Sequence, residues 1–156
     1  MRKAVRFISD HAGMSFLIIC AIVSAVIVLV FVLGHPFLVV GESMIPTYHD
    51  GQIVFTKTDI EPSDIGYGTV VVLKAEDKEL IKRIVALPGD TVEIENGILK
   101  VNGVPEERGF DRMNASDMTR TLGEDEYFYL GDNRNGSSDS RNYGPAAFED
   151  IEAVVS

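Results

Sequence analysis

One stretch of the chain is apolar on every side, and the rest alternates between short apolar runs and turns. Residues 12–41 include no Asp, Glu, Lys or Arg, and residues 14–33 are almost wholly apolar. Twenty helical residues span roughly 30 Å, the thickness of the hydrocarbon core of a bilayer. A buried helix that is apolar on every face needs a large protein around it, and only about 120 residues follow. The pattern therefore predicts one N-terminal transmembrane helix over residues 13–34.

Charges beside this helix predict its orientation. The charged residues that precede it are three basic ones and one acidic one: Arg2, Lys3, Arg6 and Asp10. The first basic residue after it is Lys57. Because basic residues stay on the cytoplasmic side, we expect residues 1–12 in the cytoplasm and residues 35–156 on the extracytoplasmic side. A cleaved signal peptide fits less well, since its apolar region is usually about 7–15 residues long. We therefore expect a single-pass protein of the cell membrane, with the lipid bilayer as a partner.

The residues after the anchor predict a mainly β fold with little helix. Compact runs rich in β-branched and aromatic residues predict strands over 52–56, 69–73, 80–87, 127–130 and 151–155. Residues 92–101 alternate in polarity around Asn96-Gly97, which is a strong hairpin signal. Residues 106–126 are polar and without a period, so they are predicted to form a loop. We expect one compact domain that is sheet-like or barrel-like.

Composition narrows the functional classes. The 14 Lys and Arg residues against 24 Asp and Glu residues give a formal net charge of -10, which weighs against a nucleic-acid partner. The single cysteine, Cys20, excludes an intrachain disulfide and a multi-cysteine metal site. None of the three histidines has a partner at metal-ligand spacing, and no glycine-rich phosphate loop is present. We expect neither a metal nor a cofactor.

A candidate nucleophile lies in residues 41–47, GESMIPT, directly after an apolar strand-like run. Gly41 and Pro46 flank Ser43, and a tight turn of this kind can hold a hydroxyl group in an exposed position beside backbone N–H donors. The segment is neither a G-x-S-x-G elbow nor an S-x-x-K motif. A serine in such a turn is more often a structural turn residue than a nucleophile, so both interpretations stand on the pattern alone.

A nucleophilic serine needs a base, and five lysines follow the anchor: Lys57, Lys74, Lys78, Lys82 and Lys100. Lys82 differs from the others because it shares a strand face with Leu80, Ile84 and Ala86. Apolar neighbours lower the pKa of an ammonium group from about 10.4, and a lysine lowered by about two or three units can act as a general base. The alternative is a strand lysine that reaches out to water, which the pattern alone favours.

Three segments together resemble bacterial type I signal peptidases, in a short, Gram-positive-like form of peptidase family S26. They are GESMIPT at 41–47, KRIVALPGD at 82–90 and GDNRNGSSDSR at 131–141, in the order of the family. The resemblance implies a mainly β serine endopeptidase in the membrane. Such an enzyme cleaves N-terminal signal peptides from exported preproteins after small residues, through an acyl-enzyme. Ser43 matches the family's nucleophile and Lys82 its general base.

The resemblance also implies roles for residues around this pair. Ser137 matches the serine that orients the lysine amine, Asp139 and Arg141 match a supporting ion pair, and Arg83 follows the lysine as in the family. We expect the Ser43 backbone N–H in the oxyanion hole. Shallow apolar pockets are expected to bind the substrate, with contacts from Met44, Ile45, Pro46, Ile81 and Ile84.

The sequence departs from the family pattern at two places. Gly41 stands where some relatives carry a serine that completes the oxyanion hole, and residues 91–126 form a reduced insertion.

Two other functions are alternatives to a signal peptidase. One is a non-enzymatic assembly factor of the pilus biogenesis type, which predicts the loss of Ser43, Lys82 and Ser137, yet all three are present. The other is a self-cleaving Ser/Lys regulator similar to the SOS repressor peptidases, but those are soluble and carry a DNA-binding module.

Overall fold

A computed structural model describes residues 2–106 and 112–156. It begins with one long helix, α1 (Arg2–Leu33), where the apolar pattern predicts a helix. Every side chain described within this helix, from residue 13 to residue 28, is exposed. Over the described part of the chain, no helix reaches the combined length and apolarity that crossing a membrane requires.

Strands dominate the remainder. In the described residues they are β1 (His35–Leu38), β2 (Ile53–Lys57), β3 (Val70–Ala75), β4 (Lys78–Ala86), β5 (Thr91–Glu95), β6 (Ile98–Val101), β7 (Val104–Pro105), β8 (Met118–Thr121), β9 (Phe128–Leu130) and β10 (Ile151–Val155). Six of them form one antiparallel sheet in the order β1-β2-β10-β3-β4-β9, and four form a second in the order β7-β6-β5-β8. The mainly β prediction is confirmed. No pairing among the described residues closes either sheet into a barrel, because β1 and β9 end the larger sheet without meeting.

The central strands of the larger sheet are covered on both faces. Residues 70–73 are all buried, which explains why this strand is a continuous apolar run instead of an alternating one. Val71, Leu73 and Ile84 pack in one core, whereas Val70 and Ile81 pack in another. A third core joins the two sheets through side chains of β4, β5, β6 and β9. The strand that carries Lys82 therefore contributes side chains to all three cores.

The predicted hairpin is confirmed. Asn96 and Gly97 both have positive φ, 49° and 76°, as a type I′ turn requires, and Glu95 pairs with Ile98 across it. A second turn of the same kind, Asn102-Gly103, joins β6 to β7.

The prediction of a loop over residues 106–126 is wrong in part. β8 lies within this range and pairs with β5 at the edge of the smaller sheet. Its sequence, MTRT, is polar, and only Met118 packs against a core, so the alternation that marks a half-buried strand is missing. Residues 107–111 of the predicted loop lie outside the described residues.

Two connections and one strand of the larger sheet meet at one place. The β1–β2 connection carries Ser43, β4 carries Lys82, and the segment after β9 leads into a short helix, α2 (Ser140–Tyr143). Asp139 caps α2 by accepting a hydrogen bond from the Arg141 backbone N–H at 3.3 Å. Two single turns of 3₁₀ helix also occur: Pro62–Asp64 lies between β2 and β3, and Phe148–Asp150 lies between α2 and β10.

Candidate active site

Ser43 lies in a turn that is held at both ends. The Gly41 N–H donates to Asp50 Oδ1 at 2.7 Å, and the Tyr48 N–H donates to the carbonyl of Met44 at 3.0 Å. The Met44 side chain is fully buried and packs with Val39 and Val54. Ser43 itself is half-buried, so its hydroxyl lies at the edge of the core on a turn fixed by that buried side chain.

Lys82 is buried within β4 and reaches this hydroxyl. Its side chain is only 3% exposed, and Nζ lies 2.7 Å from Ser43 Oγ and 2.8 Å from the carbonyl oxygen of Ile81. Burial lowers the pKa of Lys82 to about 8, against the opposing effect of the negative charges on Asp139 and Asp132. The alternative of a lysine that reaches out to water is excluded by this burial.

Two ion pairs flank the serine and lysine. Arg83 donates through Nε to Asp132 Oδ1 at 2.8 Å and through a terminal nitrogen to Oδ2 at 2.5 Å. Thr47, in the serine turn, donates to the same carboxylate at 2.5 Å. The hydrogen bonds that Arg83 donates to Asp132 raise the pKa of Arg83, and they outweigh burial, which disfavours the charged guanidinium. Arg83 therefore ties β4, the serine turn and the segment after β9 together.

Asp139 and Arg141 form the second pair, as the resemblance implies. Arg141 donates to both carboxylate oxygens of Asp139 at 2.8 Å, and the Asp139 side chain is fully buried. The Gly131 N–H donates to Asp139 Oδ2 at 3.1 Å. The carboxylate thus holds the start of the 131–141 segment against the start of α2.

Ser137 lies against Gly131, beside the carbonyl group of Ser43. Its Oγ is buried and has no hydrogen-bond partner within the described residues, so the bond to Lys82 that the resemblance implies is not among its contacts. A Cβ placed on Gly131 would lie 2.3 Å from Ser137 Oγ and 2.5 Å from the carbonyl oxygen of Ser43. Only a glycine at 131 allows these two segments to approach so closely. The role of Ser137 in orienting Lys82 stays a prediction.

A groove of about 320 Å³ leads up to Ser43 and Lys82. Its apolar lining comes from Phe37, Leu38, Val40, Leu80 and Ile81. Of the predicted substrate contacts, Ile81 lines this groove, Met44 and Ile84 are fully buried, Ile45 is half-buried and Pro46 is exposed. These five assignments stay predictions. Sequence reasoning missed the side chains of β1, although the apolar run before Gly41 was the available signal.

One backbone hydrogen-bond donor is available at the serine. Within residues 2–106 and 112–156, the Ser43 N–H donates to no protein acceptor, so it is available to a ligand oxygen. In the same residues, no three His, Cys, Asp or Glu side chains come together in a way that could hold a metal ion. A hydroxyl group beside a buried amine and a free N–H can support acyl transfer without further groups.

The sequence is similar to the sequences of known proteins. The family model described as signal peptidase, peptidase S26, matches residues 11–156. Signal peptidase I from Bacillus amyloliquefaciens is 38% identical over 138 residues, which cover 80% of this chain and 74% of that protein. Signal peptidase IB from Staphylococcus aureus strain COL is 29% identical and covers 86% of this chain and 84% of that protein.

A solved structure shares the fold. The crystal structure of a signal peptidase I from Enterococcus faecalis V583 aligns with a TM-score of 0.53 and 26% identity, and the alignment covers 59% of this chain and 97% of that one. The family match extends through all three segments that carry the resemblance. The chain therefore belongs to the signal peptidase family, peptidase S26, and is a signal peptidase I enzyme.

Proposed function

We propose that Ser43 and Lys82 form the catalytic dyad with which this enzyme cleaves signal peptides from preproteins, through an acyl-enzyme. The observation that carries this proposal is the 2.7 Å distance between Lys82 Nζ and Ser43 Oγ, at a lysine that the protein buries. A serine hydroxyl is a weak nucleophile at neutral pH, and a base within hydrogen-bond distance is what activates it.

Neutral Lys82 performs the proton transfers of both steps. Its lone pair accepts the Ser43 proton as Oγ attacks the scissile carbonyl, and the resulting ammonium returns this proton to the departing amine of the mature protein. The signal peptide is then an ester of Ser43. Lys82 next takes a proton from a water molecule, whose oxygen attacks the ester. The resulting ammonium returns this proton to Ser43 Oγ as the ester bond breaks, and the signal peptide leaves as a carboxylic acid.

The surroundings of Lys82 suit this role. With a pKa of about 8, roughly a tenth of the molecules carry the neutral amine at pH 7, whereas an ordinary lysine is neutral in far fewer than one in a thousand. The carbonyl of Ile81 accepts one N–H of the amine, which leaves the lone pair free for the Ser43 hydroxyl. Burial thus supplies the neutral base, and the strand backbone sets its direction.

The groove suits an extended peptide. Residues 78–82 of β4 pair with β3 on one side, whereas β9 pairs only from Arg83 onward on the other. Within the described residues, the second edge of this segment is unpaired; it borders the groove and can bind a substrate strand by backbone hydrogen bonds. The apolar side chains of β1 and β4 then contact the small residues before the cut. Ile81 is a residue of β4 whose side chain lines the groove.

The flanking residues act as supports in this proposal. Asp139 with Arg141, and Arg83 with Asp132, hold the three segments that carry the reacting groups at fixed separations. Ser137, at the inner side of this cluster, is the expected partner of the Lys82 amine. The Ser43 N–H stabilises the negative oxygen of the tetrahedral intermediate.

The membrane anchor belongs to the same proposal. Residues 13–34 cross the bilayer, the N-terminus is cytoplasmic, and the β domain lies on the extracytoplasmic side. Support comes from the lack of charged residues over 12–41 and from the apolar side chains that α1 exposes along residues 14–28. Ser43 follows the end of α1 by only ten residues, which keeps the groove near the place where a signal peptide leaves the membrane.

A cleavage assay in detergent or lipid, with a preprotein that carries an A-x-A site, tests the dyad. Ser43→Ala and Lys82→Met are each expected to reduce kcat by at least about 10³-fold, because each removes a group that acts in both chemical steps. The matched controls are Ser63→Ala and Lys57→Met, which alter an exposed serine and an exposed lysine that do not line the groove. Cleavage at the wild-type rate by either dyad variant contradicts the proposal.

A further inference from the structure

Asn133 holds the backbone on both sides of Ser43. Its N–H donates to the carbonyl oxygen of Ser43 at 3.0 Å, and its side-chain Nδ2 donates to the carbonyl oxygen of Glu42 at 3.1 Å. One residue therefore contacts two consecutive peptide groups of the serine turn. Both contacts join segments that are about ninety residues apart in sequence, so they arise from the tertiary fold and not from a local turn.

The Asn133 side chain is itself fixed. Its Oδ1 accepts the Gly136 N–H at 3.2 Å, and its carbonyl oxygen accepts the same N–H at 3.0 Å. A Cβ on Gly136 would lie 2.5 Å from Asn133 Nδ2, so the amide packs closely against this glycine. The donor that reaches Glu42 is thus held in one orientation.

The contact with Glu42 reaches the oxyanion donor through a single rigid unit. A peptide group is planar, and in its trans form the C=O and N–H bonds point in opposite directions. The carbonyl of Glu42 and the N–H of Ser43 belong to the same peptide group. Fixing the oxygen at one end therefore fixes the direction of the N–H at the other, and this N–H has no protein acceptor within the described residues.

A second donor reaches the same carbonyl, but more weakly. The Ile45 N–H lies 3.3 Å from Glu42 oxygen, near the upper limit for a hydrogen bond. Hydrogen bonds to a carbonyl also polarise its peptide group, which strengthens the N–H as a donor. Asn133 thus contributes to both the direction and the strength of the Ser43 N–H.

We propose that Asn133 is a positioning residue for the oxyanion hole, which acts by holding the Glu42–Ser43 peptide group so that the Ser43 N–H points at the oxygen of the tetrahedral intermediate. The inference rests on the proposed function, since it needs Ser43 as the nucleophile. It explains how a hole without a serine side chain at Gly41 keeps its one identified donor in place.

Asn133→Asp is the test, because aspartate keeps the shape and the acceptor for Gly136 but has no N–H to give to Glu42. Asn135→Asp is the matched control. It makes the same change of charge two residues away, where the amide Nδ2 donates to the carbonyl of Arg112 at 3.1 Å instead. Asn133→Ala removes the same donor without adding a charge, and it carries the test if the aspartate variant melts below the assay temperature.

Four quantities are measured at a pH where the rate no longer rises: kcat, KM, and the affinities for two peptides that end at the cleavage site. One peptide ends in an aldehyde, to which Ser43 Oγ adds so that the former carbonyl oxygen occupies the oxyanion position. The other ends in the ordinary carboxylic acid and makes no bond to Ser43. A loss of fold alone would weaken the binding of both peptides.

For Asn133→Asp and Asn133→Ala we expect kcat to fall by about 10²–10³-fold, the usual cost of a lost oxyanion donor, with KM changed by less than about threefold. In both variants the affinity for the aldehyde peptide should fall with kcat, whereas the affinity for the acid peptide should match that of the wild type. The control Asn135→Asp should match the wild type in all of these quantities. Unchanged kcat, or equal losses for the two peptides, overturns the inference. Failure of the dyad itself is distinct, since Ser43→Ala would then cleave substrate with Asn133 intact.

Discussion

Gly131→Ala is a substitution of one methyl group whose effect can be worked out from distances. The added Cβ would lie 2.3 Å from Ser137 Oγ, 2.5 Å from Ser137 Cβ and 2.5 Å from the carbonyl oxygen of Ser43. Non-bonded heavy atoms rest at about 3.5–4.0 Å, so the neighbours must move by about 1 Å. The Ser43 carbonyl is backbone and hydrogen-bonded to Asn133, so it cannot turn aside as a flexible side chain would.

Displacement of the Ser43 backbone disturbs the 2.7 Å contact between Ser43 Oγ and Lys82 Nζ. A misplacement of about 1 Å can cost about 10²-fold in rate, so we expect kcat/KM of Gly131→Ala to fall by about that factor. The assay is preprotein cleavage, with thermal melting to establish that the variant is folded. Gly66→Ala is the control, since its Cβ would meet only Thr69 Oγ1 at an ordinary 3.9 Å. A folded Gly131→Ala enzyme with activity within threefold of the wild type refutes the reasoning.

Three other predictions concern the charges around the dyad. In the wild type, kcat/KM should fall about tenfold per pH unit below about pH 8, because acid protonates Lys82; a pH-independent rate between pH 5 and 8 contradicts a neutral lysine base. Asp139→Asn removes a negative charge that raises the pKa of Lys82, so the acid limb of the same profile should move to lower pH, and an unmoved or raised limb argues against this coupling. Arg83→Met leaves the buried Asp132 carboxylate without its cation, which should lower the free energy of unfolding by about 3–5 kcal/mol in a denaturant titration, whereas a loss below about 1 kcal/mol shows that the pair is not structural.

The fold was predictable where local pattern and tertiary environment agree. Strands with β-branched runs, and the Asn96-Gly97 hairpin, carry their signals in the chain itself, and each is present. β8 was not predictable, because its four residues are mostly polar and their conformation is set by pairing with β5. The order of the strands in the two sheets was likewise beyond the pattern, since pairing between distant strands has no local signal.

For the two central residues of the candidate site, the pattern of the sequence was not sufficient and the resemblance was needed. Pattern alone left Ser43 and Lys82 open, and it favoured a solvated lysine; the resemblance to a family selected the other alternative. Their contact crosses thirty-nine residues of sequence and depends on how β4 lies beside the serine turn. Asn133 and Thr47 could not be identified in this way, because their functions reside in hydrogen bonds to backbone and carboxylate groups brought close by the fold.

The groove shows the same division. An apolar run before Gly41 was visible in the sequence, but the side of the sheet to which its side chains point depends on the register of β1 against β2. Met44 is an expected substrate contact whose side chain is fully buried beneath the turn, and this burial also depends on the tertiary fold. Which side chains a substrate reaches is therefore not given by their position beside Ser43 in the sequence.

Identification of the acyl-enzyme tests the central claim most directly. Purified enzyme is mixed with a signal-peptide substrate, quenched in acid within one turnover, digested and analysed by mass spectrometry. We predict that the peptide containing Ser43 gains the mass of the signal-peptide acyl group, that the modification maps to Ser43 Oγ, and that it is absent from Ser43→Ala and Lys82→Met. An acyl group on any other residue, or single-turnover cleavage by the wild type with Ser43 unmodified at every time point, contradicts a Ser43 nucleophile activated by Lys82.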